Sequence, residues 1–394
     1  VATLELALVL RDGFFAKDGR GWHTSASGRG HSLDWPFPPT LLGALRTTLG
    51  RLLERSAPGG LFDGPAFRRA TERVSLNQVV PLRRSDIRTP WALEHRMWPV
   101  PADALYVRDK ATIEALVPEP PSAPTIGRDD DPAREALWTP RVSIDVKPER
   151  GPRWWTEEDF IGWLAGEEVR KHQEPEKIAL GLARRTDVHL GINPETQTAQ
   201  DAMLFASDVM EPISEGAGQR WEWAIGIEAS LPAPAAVDAV PWTVGSDRRI
   251  ARPEPVQGLF RPPDALREGA RGLRLVVVTP VLFERGWLPD GLAVKDGIYS
   301  GKVAGLAEEL VLRAALVPRP VHVSGWDMAE GRPKPTLSLV PPGAVYFFEK
   351  ASGAAFSASE LRSCWLQAIG ARTNEGLGRV VAGRWDARRR VAAR

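Results

Sequence analysis

VATLELALVLRDGFFAKDGRGWHTSASGRGHSLDWPFPPTLLGALRTTLGRLLERS, residues 1–56, sets the plan of the chain. Residues 3–10 alternate imperfectly and stop at Arg11-Asp12-Gly13, a turn signal, so they read as a strand. With Glu5 inside it and no basic flank, this segment is expected to be a strand rather than a signal peptide. Residues 11–40 follow, with Gly13, Gly19, Gly21, Gly28, Gly30 and three prolines; so long a loop in a compact domain usually carries function. Thr40 suits a helix N-cap, and Leu41, Leu42, Leu45, Leu49, Leu52 and Leu53 recur at helical spacing up to Arg55. Residues 74–82 then predict a second strand.

The last third repeats the scheme. Residues 273–283 are a β-branched strand, and 284–301 a loop with Gly286, Gly291, Gly297 and Gly301. The pattern over 303–316 predicts an amphipathic helix. Strands are expected at 321–324 and 345–348, a helix capped by Ser359 over 359–369, and a final short strand at Val380-Val381. Strand, loop, helix, strand in both halves predicts an α+β chain of two ferredoxin-like (RRM-like) βαββαβ domains, the first with a large irregular insertion. A doubly wound parallel sheet would need tighter βα turns and more regular alternation.

Between the halves, residues 118–152 hold eight prolines and the run Asp129-Asp130-Asp131, and are expected to form an extended surface segment. Thr156 caps an expected helix over 156–168, with Glu157, Glu158 and Asp159 at the positive end of its dipole. Strands are expected at 184–193 and 221–228, and the proline-rich residues 231–263 read as a linker. The expected division is 1–230 for the first domain, with an acidic, proline-rich insertion at about 85–180. A linker at 231–270 and a second domain at 271–394 with a glycine-rich loop complete it.

Among 394 residues, 51 Lys and Arg face 50 Asp and Glu, which excludes a polycation that holds nucleic acid by bulk charge. The balance is local as well as global. Residues 1–100 carry a net +5, 101–260 a net −11 and 261–394 a net +7, so two basic ends flank an acidic middle. These ends could form a basic groove or simply an uneven surface. A single cysteine, Cys364, permits no disulfide within the chain and no CxxC metal knuckle; a buried thiol and a reducing, cytoplasmic setting are expected. No stretch approaches 18 uncharged apolar residues, so no membrane helix is expected.

HExxH, GxSxG, GxxxxGK[ST] and the kinase set are all missing. Gly378 and Gly383 have Walker-like spacing, but Arg384-Trp385 follows where Lys and Ser/Thr belong. The six histidines show no ligand spacing, so neither a metal nor another cofactor is expected. The segment ARTNEGLGRVV, residues 371–381, could bring backbone N–H groups to a phosphate, with Arg372 and Arg379 adding charge. It reads equally as a turn that needs glycine for its backbone angles. His31 in the first loop could act as a general base, although a plain polar contact suits it better with no partner acid in sight. Trp22, Trp35, Trp326 and Trp385, out of 15 tryptophans, lie near basic residues and could stack on unpaired bases.

Four stretches, taken together, carry a resemblance. They are RDGFFAKDGRG…HSLDWPFPPTLLGALRTTLG (residues 11–50), RTDVHLGINPETQTAQDAMLFASDVM (185–210), VTPVLFERGWLPDGL with VSGWDMAEGRPKP…VPPGAVYFFE (278–349), and RTNEGLGRVVAGRW (372–385). In this order they resemble the RAMP-superfamily subunit of type III-B CRISPR–Cas effector (Cmr) complexes that binds the 5′ tag of the guide RNA. Residues 85–180 and 231–265 lie outside the match. The resemblance implies a non-catalytic crRNA-binding protein in antiviral defence. Its implied partners are the large polymerase-like subunit, the first RAMP backbone subunit and, indirectly, target RNA, with no membrane. Tag contacts are then expected from Arg11, Arg20, Arg29, His31 and Ser32 in the first loop. A second patch comprises Trp326, Arg332 and Lys334, and a third Arg372, Thr373, Asn374, Gly376, Gly378 and Arg379, with Asn374 reading a base edge. Arg184 and Arg185 are weaker candidates. Two rivals remain: a metal-independent RAMP endoribonuclease processing guide precursors with His31 as base, and a structural adaptor that touches no RNA.

Overall fold

In β1 (Ala2–Leu10) successive side chains serve two different cores: Leu6, Leu8 and Leu10 turn to one, Ala7 and Val9 to the other. The computed structural model describes residues 2–16, 28–121, 132–141, 147–172, 181–216, 219–246, 249–264, 266, 268–303, 305–327 and 331–386. Helix α1 (Pro38–Ser56) buries Leu41, Leu42, Leu45 and Leu49 against the first core. It begins before Thr40, which lies inside it. Phe37 holds the cap position without a side-chain bond, and the two prolines occupy the first turn, where a missing N–H costs nothing. Strand β2 (Ser75–Arg84) follows.

The acidic middle supplies α2 (Glu157–Ala165), capped as expected by the Thr156 hydroxyl accepting from the Asp159 N–H. It closes at Gly166 in the left-handed region (φ 80°), short of the expected 168. Next, β3 (Ala183–Ile192) and β4 (Ala199–Glu211) form a long hairpin, whose strand β4 pairs in parallel with Arg29–Gly30 of the first loop. After β5 (Gln219–Leu231), the stretch read as a linker contributes β6 (Arg249–Pro255) and Trp242–Val244 to the first sheet instead. Prolines are tolerated there: Pro253 and Pro255 face β1 at positions whose neighbours complete the ladder. The sheet order is β2–β5–β1–β6, antiparallel throughout.

The second sheet starts with β7 (Gly272–Val277). The expected glycine loop holds a hairpin, β8 (Leu292–Lys295) and β9 (Ile298–Gly301). The helix expected over 303–316 is not found among the described residues there: β10 (Leu310–Leu316) is a strand. Gly305 sits at φ 86°, and Leu310, Val311 and Leu312 are consecutively buried, which a one-sided helix would not require but a strand covered on both faces does. Then come β11 (Val321–Val323), β12 (Leu337–Leu339) and β13 (Val345–Lys350). Helix α3 (Ala358–Ser363) is capped by Ser357, not Ser359, in a reciprocal box with Glu360, and ends before Ile369. Strand β14 (Arg379–Trp385) closes the sheet in the order β10–β13–β7–β14, with β9 and β8 beyond β10.

Both sheets therefore share one connectivity: the first, second, third and fourth main strands lie in the order 2-3-1-4. Among the described residues, three large apolar cores separate the layers. The first lies between α1 and its sheet, and the third behind β7 around α3. The second is common property: Ala7, Val9, Val80 and Leu82 of one sheet meet Val276, Phe347 and Val381 of the other, through Trp98, Trp155, Phe160 and Leu164 of the middle segment. Gly383 makes this possible, since a Cβ there would fall 2.9 Å from the Leu164 Cα. At the centre, Arg96, fully buried, is held by Glu157 and by the carbonyls of Leu259 and Arg261, while Trp98 donates to the same carboxylate at 2.6 Å and stacks on Phe160. Among the described residues no helix is long and apolar enough to cross a membrane.

Candidate nucleic-acid interface

Three sequence-distant stretches, the first loop, the β11–β12 excursion and the 372–379 loop, meet around one small apolar cluster. Leu33 and Phe37 come from the first, Val323 and Leu339 from the second and Leu377 from the third. The fold thus brings the three expected patches together at their roots.

The 372–379 loop spends its backbone donors internally. The N–H groups of Glu375, Gly376 and Gly378 are donated to the carbonyls of Arg372, Thr373 and Pro280, and that of Arg379 to the Thr279 hydroxyl. Asn374 gives its carbonyl to the Leu76 N–H at 2.9 Å, and its side chain is exposed. Gly376 (φ 82°) and Gly378 (φ 75°) stand where side chains would be strained. Arg372 is clamped bidentately by Glu375, at 2.8 and 2.7 Å. Arg379 is buried, donating through Nη2 to the Thr373 carbonyl, and burial lowers its pKa while Glu228 opposes the shift. The loop joins the second sheet to β2 through Asn374 and Leu76, and Gly376 packs against Pro38 of α1. Thr373 is half-buried.

In the first loop, Arg11 is exposed at the end of β1, and Arg20 and Trp22 lie outside the described residues. Ser32 is buried; its hydroxyl accepts from the Ala16 N–H and bonds the carbonyl of Leu33, pinning the loop. Arg29 and His31 converge on Asp208 of β4. Arg29 donates through Nε (2.9 Å) and Nη2 (2.6 Å) to one carboxylate oxygen, and His31 Nδ1 lies 3.1 Å from the other. Burial opposes ionisation of Asp208, but the bonds from Arg29 and His31 outweigh it and hold the carboxyl below its ordinary range. The partner acid missing from the sequence pattern is thus supplied from 177 residues away.

On the excursion, Trp326–Asp327 pairs with Arg332–Pro333 as a small hairpin. Trp326 is 56% exposed, and Arg332 and Lys334 are exposed. Trp35 and Trp385 are packing residues instead: Trp35 lies edge-on to Trp154, and Trp385 is buried beside Phe347. Arg184 reaches Asp34 and lies 3.8 Å from Asp208, whereas Arg185 is taken up by Asp187 and Glu211. Asp34, Arg153 and Asp208 escaped the sequence reading, because no local pattern marks a residue whose partner is supplied by a distant strand. No cluster of three metal-ligating side chains occurs among the described residues.

Residues 8–385 match the family described as CRISPR-associated protein (Cas_Cmr3), and the chain belongs to that family. This is the family that the four sequence stretches resemble. No curated protein matches the chain. Among solved structures it is similar to a chain of the type III-B Cmr-beta complex bound to cognate target RNA and AMPPnP, state 1. The identity is 10%, the TM-score 0.45, and the match covers 87% of this chain and 86% of the other. A second is the same complex bound to cognate target RNA, at 11% identity and TM-score 0.44, covering 88% and 86%.

Proposed function

We propose that the protein is a non-catalytic subunit of a type III-B CRISPR–Cas (Cmr) effector that grips the repeat-derived 5′ tag of the guide RNA and bridges the large polymerase-like subunit and the RAMP backbone. The observation that carries this reading is the convergence of the first loop and the β11–β12 excursion, both with exposed cations, on one apolar cluster in a chain of the Cmr3 family, with the 372–379 loop bracing them. An exposed Trp326 flanked by Arg332 and Lys334 suits a single-stranded tag, whose bases stack and whose phosphates pair with cations. The 2-3-1-4 order of both sheets supports reading each as a ferredoxin-like unit, the first with its second helix reduced to Val237–Ala239, the second with β8 and β9 in place of its first.

The test is a photo-crosslinking map of 4-thiouridine-substituted tag in the reconstituted complex. Crosslinks from tag nucleotides to residues 28–35 and 326–334 are expected; crosslinks only to other subunits would leave a structural adaptor. A second reading draws on one contact, His31 against Asp208, which orients an imidazole as a general base would need. Metal-free cleavage of a repeat-containing RNA, lost in His31→Ala, would establish the ribonuclease instead.

A further inference from the structure

We propose that Arg153 and Arg184 join Arg29 and His31 in one site for a phosphodiester group of single-stranded RNA, with Asp34 and Asp208 as positioning residues. This rests on the RNA-binding reading above.

The site is assembled from three distant segments. Asp34 comes from the first loop, Arg153 from the strand-forming stretch just before α2, and Arg184 and Asp208 from the β3–β4 hairpin. The placement of Asp34 against Arg153 follows from their neighbours. Trp35 meets Trp154 edge-on at 5.6 Å and also touches Trp223, and all three pack against or within the first core. The contacts run without interruption: Arg153 to Asp34, Asp34 to Arg184, Arg184 to Asp208, and Asp208 to Arg29 and His31.

Charge and exposure decide what this chain of contacts is for. Here the guanidiniums of Arg153 and Arg184 share the one carboxylate of Asp34, two cations on one anion. The Asp208 side chain is 5% exposed, whereas those of Arg153 and Arg184 are 50% and 44% exposed. Each guanidinium has five N–H donors, and one carboxylate cannot occupy them all. Asp208 therefore sits beneath, Asp34 lies 35% exposed between the two guanidiniums, and the forks of Arg153 and Arg184 face outward, the arrangement that suits a tetrahedral anion. This also assigns the acidic middle segment a role: its net charge is negative, yet it delivers Arg153 to the RNA-facing surface.

The experiment uses the reconstituted complex with a 4-thiouridine-substituted guide, comparing wild type, Arg153→Gln, Arg184→Gln, the double Gln variant and the double Lys variant across a KCl series. Crosslink yield to this chain is expected to fall about tenfold in the double Gln variant, with a weaker salt dependence. The double Lys variant should recover the salt dependence, and the unfolding midpoint should stay put in all variants. If wild type crosslinks and the double Gln variant crosslinks equally at every salt, the site is elsewhere and the RNA-binding reading stands. If wild type gives no crosslink to this chain, the RNA-binding reading falls, and this site with it. If the double Gln variant loses a protein subunit on purification while tag crosslinks persist, the forks hold a partner's carboxylates and the proposal is overturned.

Discussion

Gly378 and Ile369 are in such close contact that a Cβ on the glycine would lie 2.0 Å from the isoleucine carbonyl oxygen. The Ile369 N–H is at the same time donated to the Gly378 carbonyl at 2.9 Å, so the two backbones cannot separate without losing a bond. With φ at 75°, Gly378→Val meets both strain and collision, and a loss of about 3 kcal/mol is expected. Urea unfolding reads this directly; an unchanged midpoint would show that the loop is not the joint described above.

Arg96 and Glu157 give a second, coupled prediction. Removing either partner leaves a charge in the shared core, and Arg96→Met should cost about 3–5 kcal/mol. Burial already pushes the Glu157 carboxyl above its ordinary range against the pull of Arg96. Arg96→Met combined with Glu157→Gln should therefore lose clearly less than the sum of the two single changes. Strict additivity in the cycle would mean that the pair is not coupled.

Glu360 makes stability acid-sensitive. Its bond to Lys350, first, and the Ser357 N–H hold its carboxyl down to about 2, below the ordinary 4.5. A depressed folded-state pKa means a contribution fully present above pH about 4.5 and lost as pH falls through about 2. Stability measured over that window should fall less steeply in Glu360→Gln than in wild type. Parallel curves would remove Glu360 from the explanation.

Trp326→Ala separates stability from binding. The side chain is mostly exposed on a two-residue strand, so the unfolding free energy should move by less than about 0.5 kcal/mol. A base stacked on it contributes about 1–3 kcal/mol, so tag crosslinking near 326–334 should drop markedly. A tag map that ignores the substitution would return Trp326 to the ordinary surface.

Much of this architecture was legible where the pattern was local. The Thr156 cap and the strands around 75–84, 183–192 and 219–231 were readable from alternation and capping alone. The 303–316 segment misled because Leu310 to Leu312 is apolar on both faces, a pattern that periodicity cannot divide between helix and buried strand. The linker reading failed for a related reason: proline density in 231–263 hid a strand whose partner, β1, lies at the far end of the sequence. At the site, Trp326 and Lys334, singled out for their basic surroundings, are exposed, but the Thr279 contact of Arg379 and the Asp208 contacts depend on tertiary neighbours.

The middle core has a consequence for how the chain can be divided. Its aromatic residues complete both sheets at once, so a cut between residues 231 and 270 would strip one face from each half. Halves produced separately would expose matching greasy surfaces and should aggregate. The intact chain, by contrast, should melt in a single cooperative transition, with near-UV signals from Trp98 and Trp365 and the far-UV signal of both sheets vanishing together.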